Sequence, residues 1–266
     1  MILFTLNFPK KKGRLNFSFL LGLAVFFGIW IWGAYVVGSA LILPGPFSVF
    51  TQFIILLKSE SFYRALCSST FRLLTGLAIS VPIGALAGLL AGLKPVARAF
   101  LQPFFTTIAS TPVMAVILIA YLAFGSERTP IFTAFLMVFP VMASNTIEGM
   151  KSIDPKMKEV FDIYRISFIE RLRRLYIPAL IPFMAGGLRS SISLGWKVVV
   201  AAEVLVQPVF SLGAGMQNAK ANLETPELFA WTLSVITAAA ISDAALNMCA
   251  KIYSLKRKYT GKRRCE

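Results

Sequence analysis

The stretch Lys156–Pro182, KMKEVFDIYRISFIERLRRLYIPALIP, decides how this sequence folds, because it places charges between regularly spaced hydrophobic residues in an otherwise apolar chain. Asp154-Pro155 just before it is typical of a helix start, since Asp caps the first turn and Pro suits the first helical position. Ser167-Phe-Ile-Glu170 has the form of a capping box and predicts a second helix. We expect two short helices joined near Arg165. Their apolar faces should pack on the neighbouring apolar segments.

Composition indicates that this block lies in a membrane protein. Of the 266 residues 57% are hydrophobic and 15% charged, and the mean hydropathy is +0.73. Soluble domains carry about 25% charged residues. A membrane helix needs about 20 apolar residues, and six segments have this character: 17–37, 66–93, 100–124, 130–150, 179–206 and 228–253. We therefore predict an all-α polytopic fold with about six transmembrane helices. In the second, Gly84, Gly88 and Gly92 are spaced for close helix packing.

The distribution of basic residues indicates the topology. Lysine and arginine concentrate in 1–16, 94–98, the quoted block and 256–266, and are sparse in the alternate connections. This pattern follows the positive-inside rule and predicts that both termini and the quoted block are cytoplasmic. The net charge of +15 then reflects topology, and we expect no nucleic-acid partner. The first apolar run exceeds a usual signal-peptide core, which favours an uncleaved anchor over a cleaved leader.

The residue types that the sequence lacks limit the reactions and metal sites that the protein could support. The sequence has no histidine, so it has neither a His-based metal site nor a Ser-His or Cys-His pair. Cys67, Cys249 and Cys265 show no metal-site or disulfide spacing, and no P-loop motif occurs. We expect a protein that is not an enzyme and holds no metal or cofactor. It should form one membrane domain over 17–255 between basic ends, 1–16 and 256–266.

The quoted block by itself leaves two interpretations open. It is either an interfacial anchor that meets anionic lipid or a docking element for another protein. Further motifs surround it: Glu159 within the block, Pro178 ahead of the next span, then Gly187-Leu-Arg189, Trp196 and Ala202-Glu203. Together they resemble the EAA loop and following span of the permease subunit of binding-protein-dependent ABC importers, in the nitrate, sulfonate, taurine and bicarbonate branch. The resemblance extends from about residue 40 to 255.

This resemblance implies a type I ABC importer-like fold with a cytoplasmic two-helix coupling loop over 151–178, which we call the 151–178 loop. Residues 154–177 would dock on a cytoplasmic ABC ATPase dimer that holds the ATP and Mg. The implied partners also include an extracytoplasmic solute-binding protein, a second permease copy and the lipid of the cell inner membrane. The implied ATPase-coupling residues are Glu159, Val160, Phe161, Asp162, Tyr164, Arg165 and Ser167.

Arg165 departs from the family pattern, which has glycine at this turn. A side chain with a Cβ atom is disfavoured where φ is positive. Either this turn has a different backbone or its docking partner has co-adapted to the arginine.

Polar residues inside the spans are candidates for a solute path, because they are costly in lipid and usually face protein or water. We select Thr111, Asn145, Arg189, Ser193, Trp196 and Glu203. The alternative is interhelical hydrogen bonding for the hydroxyls, and a Lys197–Glu203 or Arg189–lipid pairing for the charges. The resemblance implies that the solute is a small anion, a sulfonate or a vitamin-precursor-like molecule. An ion-gradient-driven secondary transporter is the alternative function, although no internal repeat of that class is evident.

Overall fold

The computed structural model describes the backbone of residues 12–262 and the side-chain surroundings of residues 17–248. Its helices are α1 (Lys12–Val37), α2 (Pro46–Leu56), α3 (Glu60–Leu93), α4 (Pro95–Ser110), α5 (Val113–Lys151), α6 (Pro155–Ile163), α7 (Phe168–Arg171), α8 (Ile177–Val206), α9 (Leu212–Ala221) and α10 (Thr225–Lys262), with a π-helical turn at Leu172–Tyr176. No strand occurs within residues 12–262, and the all-α prediction is confirmed. The predicted basic ends, 1–16 and 256–266, fall outside the described side chains.

Five helical segments in the described part of the chain are long and apolar enough to cross a membrane. They are Phe17–Val37, Glu60–Leu93, Val113–Lys151, Phe168–Val206 and Thr225–Met248. The predicted first, second, fifth and sixth spans fall on four of these helices. The predicted third and fourth spans, 100–124 and 130–150, fall on α4 and α5, and the boundaries of these helices differ from those of the predicted spans.

The predicted third span, 100–124, is two helical pieces and not one continuous helix. α4 ends at Ser110, and Thr111 and Pro112 are extended before α5 begins. Proline disfavours the helical conformation in the residue before it, which accounts for the break at Thr111.

The chain reverses direction within α5, at Gly125. This residue has φ 72° and ψ −179°, a conformation essentially restricted to glycine. The Phe124 and Phe132 rings lie 4.8 Å apart, whereas eight residues of straight helix span about 12 Å. The first part of α5 therefore completes the third membrane pass and the second part forms the fourth, close to the predicted 130–150.

The core of the bundle is formed by α3, α5 and α8. The predicted glycine ridge on α3 packs against α5, as expected: a Cβ atom added at Gly88 would lie 2.5 Å from the Ala143 carbonyl oxygen. Leu73, Val138 and Trp196 join the three helices in one buried cluster. The faces of α8 that lie outside this contact remain available to other segments. One of these segments is the 151–178 loop.

The first two helices lie at the periphery. The apolar residues of α1 are exposed in this single chain. Trp30 ties α1 to the following turn by donating a hydrogen bond to the Pro44 carbonyl at 3.0 Å. The helix that follows Pro44 is α2, which buries Val49 and Leu56 and leaves Phe47 exposed.

Candidate functional site

The 151–178 loop begins with the predicted helix cap. The Asp154 carboxylate accepts a hydrogen bond from the Lys156 amide at 2.9 Å, and Pro155 occupies the first position of α6. Ser167 caps α7 by accepting a hydrogen bond from the Glu170 amide at 3.4 Å. Both predicted helix starts are confirmed. These caps satisfy amide groups that the first turn of a helix leaves without partners.

The turn between α6 and α7 has the backbone that usually requires glycine. Arg165 adopts φ 48°. The Ile166 amide donates to the Phe161 carbonyl at 3.1 Å and the Arg165 amide donates to the Asp162 carbonyl at 3.0 Å. These two hydrogen bonds form a Schellman motif, in which the left-handed residue follows the helix end. The first of the two possibilities for this turn, a different backbone, is therefore excluded. The turn has the left-handed residue that suits glycine, and Arg165 bears the steric cost.

One contact holds the loop on the bundle, and a second joins its two short helices. Phe161 packs against a buried cluster that includes Met150, Ile153 and Leu180. Arg171 on α7 forms an ion pair of 2.5 Å with Asp162 on α6. The two short helices are thus joined to each other and to the ends of α5 and α8.

The tip of the loop presents exposed apolar side chains. Ile163, Tyr164 and Ile169 are 77%, 75% and 76% exposed. With Val160 and Phe168 they form an exposed group that we call the tip patch. The expectation that the apolar face of α6 packs on the bundle is therefore wrong except at Phe161, because the other residues of that face point away from it.

Exposed charged and polar residues alternate along the chain with those of the tip patch. Glu159, Asp162, Arg165 and Ser167 are all exposed. Glu159 has no hydrogen bond or ion pair within the described side chains, so its carboxylate is available to another molecule. An apolar patch with a polar rim is typical of a surface that binds another protein or a membrane.

The predicted path residues do not converge on one cavity. Ser193 and Arg189 line a groove of about 550 Å³ between α8 and α10. Arg189 donates two hydrogen bonds to the Asp243 carboxylate, at 2.8 and 2.7 Å. The Arg189–lipid pairing is thus replaced by an ion pair between two helices.

Three other path candidates lie in helix contacts. Thr111 donates its hydroxyl to the Thr107 carbonyl at the α4–α5 break. Asn145 is partly buried where α5 crosses α8, beside Gly187. Trp196 is buried, and its indole N–H donates to the Ser242 hydroxyl at 3.1 Å.

Glu203 lies in a buried ionic cluster at the end of the bundle opposite the 151–178 loop. Its side chain is fully buried; it accepts hydrogen bonds from Arg72 at 3.1 Å and from the Ser69 hydroxyl at 2.8 Å. Arg72 also pairs with Glu127 at 2.6 Å, and the Gly213 amide donates to Glu203 at 3.2 Å. The alternative Lys197–Glu203 pairing is therefore wrong. In this structure Glu203 faces Arg72 and not the groove.

Sequence reasoning missed the residues that complete these ion pairs. Arg72 and Asp243 both lie in apolar helices, where a charge needs a partner. That rule predicts that Arg189 and Glu203 are paired, and only the helix packing decides with which residue.

The helices and the capped loop together define a multi-pass membrane protein of the permease class. A sequence model of the family described as the binding-protein-dependent transport system inner membrane component matches residues 80–254. The chain belongs to this family and is the permease subunit of an ABC importer. The membership supports this interpretation and not the gradient-driven alternative.

Relatives and solved structures agree with this assignment. A permease named for aliphatic sulfonates in Bacillus subtilis is 26% identical over 95% of this chain and 93% of its own. A bicarbonate transport permease of Synechococcus elongatus is 31% identical over 69% and 70%. The crystal structure of a bacterial ABC transporter that imports alginate has the same fold, with TM-score 0.65 and 15% identity over 91% of this chain and 96% of that one.

Proposed function

We propose that the 151–178 loop couples this permease to a cytoplasmic ATPase, with residues 154–177 as the docking element. The observation that supports this role is the tip patch, which stands on a capped two-helix element. Charged residues around the patch keep it out of the bilayer core, since ionised groups are costly there. An apolar surface in water is stabilised when another protein covers it.

The coupling residues then divide into two groups. Val160, Tyr164 and Glu159 are exposed and would contact the ATPase directly. Phe161 anchors α6, and Asp162 pairs with Arg171. Arg165 and Ser167 shape the turn and the second cap. These four would transmit movement of the ATPase to α5, which ends at the loop, and to α8, which begins there. ATP and Mg would be held by the ATPase, because this sequence lacks a P-loop.

The same family supports a larger assembly. We propose two copies of this chain, an ATPase dimer and an external solute-binding protein. The crystal structure of a bacterial alginate ABC transporter in complex with a pentasaccharide-bound periplasmic protein shows such a partner for a chain of the same fold, at TM-score 0.63 and 14% identity. The basic residues support cytoplasmic placement of both termini and of the loop, in the cell inner membrane.

The solute in this proposal is a small anion or a sulfonate, with a vitamin-precursor-like molecule as the remaining class. The relatives named for aliphatic sulfonates and for bicarbonate support an anion. Arg189 and Ser193 would border the path where they line the α8–α10 groove. Thr111, Asn145 and Trp196 would act at helix contacts that shift during transport. Glu203, which is fully buried, would hold the opposite end of the bundle together.

Co-purification with the co-encoded ATPase tests the coupling proposal. Glu159→Ala and Ile163→Ser should each weaken the complex about tenfold, as expected when an interface contact worth more than about 1 kcal/mol is removed. Both side chains are exposed, so neither variant should disturb the permease itself. Phe47→Ala is the matched control, because Phe47 is 87% exposed at the opposite end. Equal binding by wild type and both loop variants would show that the tip patch is not the docking surface.

A further inference from the structure

The groove between α8 and α10 contains a cation that the described chain does not neutralise. Lys197 lines this groove and is exposed. It makes no hydrogen bond or ion pair within residues 17–248. The neighbouring acid, Asp243, is already held by both Arg189 nitrogens. The net charge at the groove is therefore the single positive charge of Lys197.

Lys197 lies deep in the membrane span. It is nine residues before Val206, the end of α8, which corresponds to about 13 Å along the helix axis. With the end of α8 placed at the edge of a hydrocarbon core about 30 Å thick, the Lys197 backbone would lie near the middle of that core. Lipid phosphates do not reach this depth. An ionisable residue here is expected to face water or another polar group.

Two hydroxyl groups share the face of Lys197. Ser190 and Ser193 lie seven and four residues before it, on the same side of the helix, and both are exposed in the groove. Other helical serines of this chain, such as Ser80 and Ser234, donate to the carbonyl four residues earlier. Ser190 and Ser193 make no hydrogen bond within the described part, so both hydroxyls are available as donors.

The opposite wall of the groove leaves room for a solute. α10 contributes Ala239 and Ala240, whose short side chains do not fill the space. The groove volume of about 550 Å³ falls in the range of small-molecule sites, about 300 to 1,000 Å³. One cation, two hydroxyl donors and small apolar residues form a set that suits a small oxyanion.

We propose that this groove is an anion-binding station on the solute path, in which Lys197 supplies the charge and Ser190 and Ser193 donate hydrogen bonds. The ligand class is a small oxyanion such as a sulfonate. This inference rests on the proposed anion-import function and adds the residues that recognise the anion inside the membrane. Lys197 is a binding residue here, because its ammonium group would touch the solute directly.

Charge-selective labelling of the full-length chain in zwitterionic nanodiscs tests the proposal. Cys67, Cys249 and Cys265 are replaced by serine, and Ser193→Cys serves as the reporter. The reaction rate of this cysteine is measured with two methanethiosulfonate reagents. One carries a sulfonatoethyl group and the other a trimethylammonioethyl group, so they have the same reactive group and opposite charges. Both reagents react with the thiolate, so the ratio of the two rates does not depend on the fraction of the cysteine that is ionised.

The anionic-to-cationic rate ratio at Ser193→Cys should fall by about tenfold or more when Lys197→Gln is added, because the Cβ atoms of the two residues lie about 6 Å apart on one helix face and the lysine charge therefore acts on the reporter at short range. Lys197→Arg should keep the ratio. Ethanesulfonate at millimolar concentration should slow labelling with Lys197 present and not with Lys197→Gln. Phe47→Cys, at the other end of the chain, should show the same ratio in all three backgrounds.

An unchanged ratio in Lys197→Gln would overturn the proposal. So would a Ser193→Cys that neither reagent reaches while Phe47→Cys reacts, since the groove would then be closed to solutes. Co-purification of the ATPase with the same variants separates the two proposals. If the ATPase binds normally but the groove shows no anion selectivity, only the groove proposal is refuted. Selectivity without ATPase binding refutes the coupling proposal alone.

Discussion

Replacing Arg72 by methionine should destabilise the protein strongly, because it removes the cation from the buried ionic cluster. Arg72 is 5% exposed and pairs with Glu203, whose side chain has no exposed surface. Without it Glu203 retains only the Ser69 hydroxyl and the Gly213 amide as donors. Removal of one partner of a buried pair costs about 3 to 5 kcal/mol. We expect Arg72→Met to lower the free energy of unfolding by that amount.

The assay is equilibrium unfolding in mixed micelles with increasing dodecyl sulfate, followed by tryptophan fluorescence. Arg64→Met is the matched control, since Arg64 lies on the same helix and pairs with Glu60, with side chains 57% and 80% exposed. Exposed pairs contribute about 0 to 1 kcal/mol. The double variant Arg72→Met/Glu203→Met should regain most of the loss, because no uncompensated buried charge remains.

An Arg72→Met variant as stable as Arg64→Met would refute this reasoning. It would mean that water enters the cluster and solvates Glu203 when Arg72 is absent. A double variant as unstable as the single one would instead show that the pair is needed for its geometry and not for its charge balance.

Three further substitutions test the backbone and the packing. Gly88→Val should cost about 1 to 3 kcal/mol or more of unfolding free energy through overpacking, since an added Cβ meets Ala143 at 2.5 Å; Gly22→Val, with open space around it, should not. Gly125→Ala should cost about 1 to 3 kcal/mol, because the reversal in α5 needs φ 72°. Arg165→Gly should raise stability by about 1 kcal/mol by relieving a left-handed backbone. Unfolding in mixed micelles measures all three, and opposite signs would contradict them.

The local features of the 151–178 loop could be predicted because they depend on neighbours in sequence. Asp154 and Ser167 cap the helices that follow them, and such caps act over two or three residues. The positive φ at Arg165 illustrates the limit of this reasoning. The sequence left open whether this turn keeps a left-handed residue, and the structure shows that the Schellman hydrogen bonds hold Arg165 in that conformation.

The ion pairs could not be predicted with the same success, because they join residues far apart in the chain. Arg72 and Glu203 are 131 residues apart, and Arg189 and Asp243 are 54 apart. Apolar spans require that buried charges be paired, but periodicity does not reveal which helices are neighbours. Hence Lys197 was a plausible partner of Glu203 until the packing of α3 against α8 was known.

The sequence by itself determined the membrane class, the approximate spans, the helix caps of the 151–178 loop and the family. These features follow from apolar length, charge distribution and short-range hydrogen bonding, all of which are local. Only the tertiary structure decided that α5 doubles back at Gly125, that Phe161 anchors the loop while its neighbours stay exposed, and that Lys197 has no partner among the side chains of residues 17–248. Each of these depends on which helix faces meet, and close packing between distant segments selects those faces.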